Sequence, residues 1–453
     1  MYRRYSHNDR TKRCRFARSI RLYSQLCTEV LSAYWGILLM STWRPGNQFI
    51  LQDDVLQRFL NMTKVSRCFK RCALKALTRS SFNIHYVKSY QLLKKLSRCL
   101  YPSTTFSLSV PSATLSSIDP LIYGRFTRQL SIEHASTLHI TSSVLFPFPN
   151  LVSLCLTNFN QCTLNHIPSS LRKLSLVSSP SDTATDSLYV SDSVGSLSSL
   201  SSLSVSNLSV FKCSSLSIFQ NLKHLEVHFT SVLDELSEFI SLESLVINTT
   251  DVSFLSLRTN KRLVSLEVLD LESLTHIDLS TTSKLQTLKI IDCPNITSID
   301  LSPKEKKITT LHLDICPFSS SLLHHDAVRT VHTLKLYSIT IPSSLAFMRL
   351  CSLTLWACSV PVFSPSQFPA LACLSLGTGC RCALPLSPFP HLVEFSLYCS
   401  GYDVSNRNWL ENKKSIVRML PNIRVFRHCC SRKDLQEFTH LFGASVVFCS
   451  AYD

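Results

Sequence analysis

Glycine is nearly missing from this sequence, with 8 among 453 residues. Phosphate cradles and tight active-site turns usually gather several glycines, because only glycine freely tolerates positive φ and close backbone approach. Neither G-x-G-x-x-G nor G-x-x-x-x-G-K-[ST] occurs, which argues against the nucleotide-binding enzymes built on those loops. G-x-S-x-G and H-E-x-x-H are absent as well. The apolar stretch "VLSAYWGILLM", starting at Val30, is far shorter than the ~20 residues that a membrane-spanning helix needs. Metal-ligand spacing is also lacking. "GCRC" at Gly379, the Cys429–Cys430 pair and Cys68/Cys72 do not supply the paired C-x-x-C spacing of a four-ligand zinc site, and His324, His325 and His332 read as solvated side chains. No cofactor, small-molecule substrate or catalysis is expected.

Acidic residues are scarce at the start of the chain. Residues 1–100 hold 20 Lys/Arg against 4 Asp/Glu, whereas residues 101–453 hold 26 of each, so the whole net charge of +16 belongs to the N-terminal region. A basic block of this kind attracts nucleic acid, membrane surface or an acidic partner, and its plainest reading is a solvated leader or targeting segment over 1–44. Nucleic acid is not expected as the main partner. The 19 cysteines are odd in number and lie in a long chain with 45% hydrophobic residues, enough for a continuous core. Disulfide-dense scaffolds are short chains that lack one. A reducing compartment, cytoplasmic or nuclear, is the expectation.

What is present is a repeat. The phrase L-x-x-L-x-L reads "LVSLCL" from Leu151, "LRKLSL" from Leu171, "LSSLSV" from Leu200, "LKHLEV" from Leu222 and "LESLVI" from Leu242. It continues as "LVSLEV" from Leu263, "LQTLKI" from Leu285, "ITTLHL" from Ile308, "VHTLKL" from Val331, "LCSLTL" from Leu350, "LACLSL" from Leu371 and "LVEFSL" from Leu392. From Leu200 onward the interval is 19 to 23 residues; the step from Leu171 to Leu200 carries a serine-rich insertion. A second apolar phrase begins midway between strands, at Leu274 and Ile296, so each turn there is apolar on two sides. Alternation predicts a short strand whose leucines point inward, and a fixed period of 20–29 residues predicts stacking of those strands.

Over Leu138 to Leu397 the pattern resembles the leucine-rich-repeat family. The resemblance implies an α/β, horseshoe-like solenoid with a parallel strand ladder, used for binding protein partners on its concave face. Many family members place an asparagine three residues after the last leucine; here that position holds Cys293, Cys316 and Cys358, as in the cysteine-containing subclass common among intracellular ubiquitin-ligase receptors. Upstream, "FILQDDVLQRFLNMTKVSRCFKRCALKAL" from Phe49 resembles an F-box, the helical module that docks on a Skp-type adaptor of cullin ubiquitin ligases. Leu51, Asp54, Val55, Leu56, Phe59 and Leu60 match its opening, and Val65, Ser66, Arg67, Phe69 and Leu74 its later part. The adaptor contacts expected from it are Leu51, Asp54, Val55, Leu56, Phe59, Leu60, Val65 and Phe69. The match is degenerate: Gln52 replaces a proline, and the middle helix is missing between Leu60 and Val65. The expected organisation is a basic leader (1–44), a helical F-box-like module (45–100), a linker and cap (101–137), repeats (138–400) and an α/β C-terminal cap (401–453).

The outward residues of the strands predict the binding surface. One column runs Thr287, Thr310, Thr333, Ser352, Cys373, Glu394, and the next Lys289, His312, Lys335, Thr354, Ser375, Ser396. A third runs Ile291, Asp314, Tyr337, Trp356, Gly377, Tyr398. Tyr337, Trp356 and Tyr398, with His312 and Lys335 beside them, are the candidate protein-binding residues, because aromatic side chains dominate interface hot spots. The reading is a substrate receptor of a cullin-type ligase; a plain non-catalytic scaffold and a surface or adhesion protein are the alternatives.

Overall fold

The computed structural model describes the short strands Trp43–Arg44, Gln48–Phe49, Phe82–His85 and Phe106–Pro111, then 127–140 and most of 145–450. Gaps in the later part fall mainly at 179–186, 191–196, 214–218, 229–235, 302–307, 317–321 and 399–412. The chain divides into two compact units, Met1–Leu200 with Lys212–Ser214, and Ser201–Phe211 with Ser215–Asp453.

In the first unit, Phe82–His85, Phe106–Pro111, Thr127–Ile140, Ser153–Leu164 and Lys173–Ser178 pair in parallel, each with the next. Parallel pairing thus begins earlier in the chain than the first L-x-x-L-x-L phrase at Leu151. The described part of 45–100 is extended: Gln48–Phe49 and Phe82–His85 are strands. The adaptor-contact residues Leu51 to Phe69 lie outside the described residues.

The second unit is a parallel-strand solenoid. Ser202–Ser206, His224–His228, Ser244–Asn248, Ser265–Leu269, Thr287–Ile291, Thr310–Asp314, Thr333–Tyr337, Ser352–Trp356, Cys373–Leu376 and Glu394–Leu397 pair in sequence, each parallel to its neighbour. The ladder goes on through Val425–His428 and Val447–Ser450, with the helices Lys413–Met419 and Arg432–Phe442 as the crossing segments. In most of these strands the second and fourth residues are buried and those between them are half-exposed or exposed, as in Leu266/Val268, Leu288/Ile290 and Leu311/Leu313; Ser396 in Glu394–Leu397 is a buried exception. Burying such a leucine fully is worth roughly 1.5–3 kcal/mol.

The midway phrases form a second wall. Phe254–Ser256, His276–Leu279 and Ser298–Leu301 make a separate parallel sheet, and Leu274, Ile277, Leu279 and Ile296 are buried beneath it. Where that phrase fades after Val331, buried phenylalanines fill the turns, as in the stacked pair Phe347–Phe368 at 6.1 Å between ring centroids. At the C-terminal end Phe426 is ringed by Phe395, Phe438, Phe442 and Phe448, all within 5.7 Å of its centroid.

A sharp turn leaves six of these strands. Asn207, Asp270, Asp292, Ile315, Ser338 and Ala357 follow their strands directly, and all have φ between 45° and 58°. The left-handed residue redirects the chain so that the next side chain drops into the core. That side chain is Cys293, Cys316 or Cys358 at three of these corners, and all three are buried. Cys316 donates its thiol to Ile290 O at 3.6 Å and Cys358 to Leu336 O at 3.2 Å, each reaching the strand of the preceding turn. Cys380, after Gly379 at φ 77°, does the same to Leu355 O at 3.2 Å. A rung of thiols thus satisfies backbone acceptors between repeats.

Candidate functional site: an aromatic row on the strand ladder

Constant register turns the outward positions into columns. Thr287, Thr310, Thr333, Ser352, Cys373 and Glu394 are successive partners, as are Lys289, His312, Lys335, Thr354, Ser375 and Ser396. Ile291, Asp314, Tyr337 and Trp356 continue likewise. Past the strand ends, the Gly377 N–H donates to Leu355 O at 2.6 Å and the Tyr398 N–H to Leu376 O at 2.8 Å, which carries the third column over two more turns.

The predicted site residues on this ladder come together. His312 and Tyr337 have ring centroids 5.2 Å apart, Tyr337 and Trp356 are parallel to within 5° at 6.0 Å, and Trp356 meets Tyr398 at 5.2 Å. Trp356 and Tyr398 belong to strands separated by a third, and Gly377 stands between them. A Cβ on Gly377 would lie 2.1 Å from Cδ2 of Trp356 and 2.5 Å from both Cγ and Cε3. Those are the distances of a point almost on the ring normal through Cδ2. The indole therefore lies face-down over the glycine and bridges to Tyr398, an approach that any side chain at position 377 would block. All three aromatic residues remain partly exposed.

Charges on the same face are partly neutralised. Lys289 reaches Glu267 at 2.6 Å and Arg427 reaches Glu394 at 2.7 Å. Lys335 forms no ion pair among the described residues. His312 lies between the two lysines, and its Nε2 has no hydrogen-bond partner. Burial, with Lys335 and Lys289 beside it, pushes its pKa down to about 4, so the imidazole is neutral near pH 7.

One feature of the site was missed in the sequence. Asp270, Asp292 and Asp314 follow one another at equal intervals of 22 residues along the C-terminal edge of the ladder. Asp292 donates its N–H to Asp314 O at 3.2 Å, and Asp314 is the register partner of Tyr337. Burial and then Asp270 raise the Asp292 carboxyl pKa, while burial and then Asp292 raise that of Asp314. Asp314 in turn adds to the effect of burial in raising Tyr337. A carboxylate edge thus runs directly into the aromatic row. The 22-residue spacing was the available signal, hidden because Asp270 and Asp292 occupy the turn after the strand and Asp314 its last residue.

Among the described residues no group of three or more His, Cys, Asp or Glu gathers as a metal ion would require, and no helix is long and apolar enough to cross a membrane. The face can stack on planar or apolar groups and can pair with charge.

No family model matches this sequence, and neither does any curated protein. Solved structures do. A leucine-rich-repeat protein of Leptospira interrogans shares 15% identity, with 81% of this chain and 99% of that chain covered at a TM-score of 0.44. An internalin of Listeria monocytogenes shares 15% identity over 76% of this chain and 94% of its own, at a TM-score of 0.37. The assignment of a parallel-strand solenoid resembling leucine-rich-repeat proteins rests on the strand register itself.

Proposed function

We propose that this chain is a non-catalytic protein-interaction scaffold that holds a partner on the ladder face, centred on Tyr337, Trp356 and Tyr398. The observation that carries it is the aromatic row built across Gly377: four rings, from His312 to Tyr398, lie in contact and half-exposed on one face. Aromatic anchors in such positions are each worth about 2 kcal/mol or more at an interface. An extended parallel ladder also offers many neighbouring contact points to one ligand.

The finer reading is a substrate receptor of a cullin-type ubiquitin ligase. It is supported by the F-box-like residues Leu51 to Phe69 and by cysteine at the turn position. A cytoplasmic or nuclear location goes with it, favoured by buried thiols serving as hydrogen-bond donors. One experiment tests both levels: affinity purification of the full chain, of Tyr337→Ala/Trp356→Ala/Tyr398→Ala, and of a version lacking 45–100. A partner kept by the deletion and lost by the triple substitution supports the scaffold. Adaptor and cullin lost only by the deletion support the ligase role. Partners indifferent to the triple substitution sink the ladder-face reading.

A further inference from the structure

The geometry points to an arginine-bearing protein segment as the occupant of the aromatic row, its guanidinium lying on the Tyr337–Trp356 rings with its N–H groups on the carboxylates of Asp314 and Asp292. This inference rests on the ladder-face reading and commits it to one chemistry.

Two independent features converge. The first is the aromatic platform. Trp356 lies with one face down on Gly377, and Tyr337 is parallel to it within 5°, so flat rings rather than ragged side chains meet the ligand. A planar cation is the group that such faces hold best, with guanidinium favoured over ammonium because it can stack and still present its donors sideways.

The second is charge. Among ionisable residues around the row, Lys289 is neutralised by Glu267, Glu394 by Arg427, and His312 is uncharged near pH 7. What remains at these ladder positions among the described residues is Asp270, Asp292 and Asp314 against Lys335, a surplus of acid. The carboxylates also crowd one another: behind the effect of burial, Asp270 raises the pKa of Asp292, and Asp292 that of Asp314. A guanidinium relieves that repulsion and accommodates two carboxylates through its forked donors. A lysine ammonium has neither the plane nor the fork. An acidic partner would meet Asp314 at the entrance to the row. A sugar would use the ring faces but leave the carboxylate repulsion in place.

The test uses the full chain, four capped six-residue probes in ~0.15 M salt, and cellohexaose. The probes alternate glycine with arginine, lysine, glutamate or serine. Binding is followed by calorimetry and by tryptophan emission, with Trp356→Phe identifying its share among the 4 tryptophans. The arginine probe is expected to bind at least about threefold more tightly than the lysine probe. Asp314→Asn and Asp292→Asn should each weaken it about tenfold, as expected for a lost charge-assisted bond. Trp356→Leu should weaken it by a similar factor. Thermal melting confirms that each variant is folded, and the two Asp→Asn changes alter no side-chain volume.

Arginine-probe binding that ignores Asp314→Asn and Trp356→Leu overturns the inference. So does Trp356-dependent binding of the glutamate probe or of cellohexaose. In those cases a protein partner lost by the triple aromatic substitution still leaves the ladder-face reading standing. If no such partner exists, that reading falls with it.

Discussion

Gly377→Ala is the sharpest test of how the row is built. The added methyl would stand 2.1 Å from Cδ2 of Trp356, so the indole must swing away. Its parallel contact with Tyr337 at 6.0 Å and its contact with Tyr398 at 5.2 Å then go together. Such pairs contribute about 0.5–1.5 kcal/mol each beyond their buried area, which makes the expected loss about 1–3 kcal/mol. The backbone at 377 is not in the left-handed region, and its N–H bond to Leu355 O survives in alanine. With Trp356→Ala already present, the same change should therefore be neutral or stabilising by about 0.4–1 kcal/mol, through the unfolded chain. A double-mutant cycle in urea, followed by tryptophan emission, should return a coupling of about 2 kcal/mol. Equal cost of Gly377→Ala with and without Trp356 would show that the glycine serves something other than the indole, and would refute the bridge to Tyr398.

Three further outcomes are expected. Ile315 is β-branched, 48% exposed and held at φ 45°, a region that costs an L-residue roughly 1–2 kcal/mol, so Ile315→Asn should raise stability by about 1 kcal/mol in urea unfolding; an unchanged or lowered midpoint would mean that the isoleucine makes an unrecognised contact. Burial pushes the thiol pKa of Cys162 and Cys316 to about 12 and of Cys293 and Cys358 to about 11, so brief alkylation at pH 8 with peptide mapping should label exposed Cys351 and spare those four until urea is added. His312 has its folded pKa lowered to about 4 from the ordinary imidazole value of 6.5, so the unfolded chain takes up the proton first. Its contribution is complete above about pH 6.5 and is lost as pH falls toward about 4, by about 1 kcal/mol once solvent screening is allowed for. Unfolding at pH 7.5 and 4.5 should show a steeper loss for the wild type than for His312→Gln; parallel slopes would place the imidazole in solvent.

The columns could be read in advance because two regularities coincide. Period-2 alternation decides which residues point outward, and a nearly constant repeat length places equivalent residues on adjacent strands. Tyr337, Trp356 and Tyr398 were therefore aligned by counting alone. Their mutual contact was another matter. It depends on Gly377, whose effect lies in an atom it lacks, and on the direction in which an indole leans, which spacing does not encode. The same limit hid the corners: the left-handed residues after the strands are Asp, Ile, Ser and Ala as well as Asn, so no residue type marks the turn and only the repeat's geometry imposes it. Once the corner is known, its neighbours make sense. The residue after it must enter the core, which is why cysteine can stand where many repeats use asparagine: a thiol fills the space and still donates to the preceding strand. The residue at it points out along the edge, which sets Asp270 beside Asp292 and Asp292 beside Asp314. The carboxylates of Asp270 and Asp292 and the thiol of Cys316 are therefore placed by the same kind of turn, and a substitution that relaxes the corner at Ile315, between Asp314 and Cys316, should disturb the carboxylates and the thiol together while leaving the Trp356–Tyr398 end of the row, which register and Gly377 place, where it is.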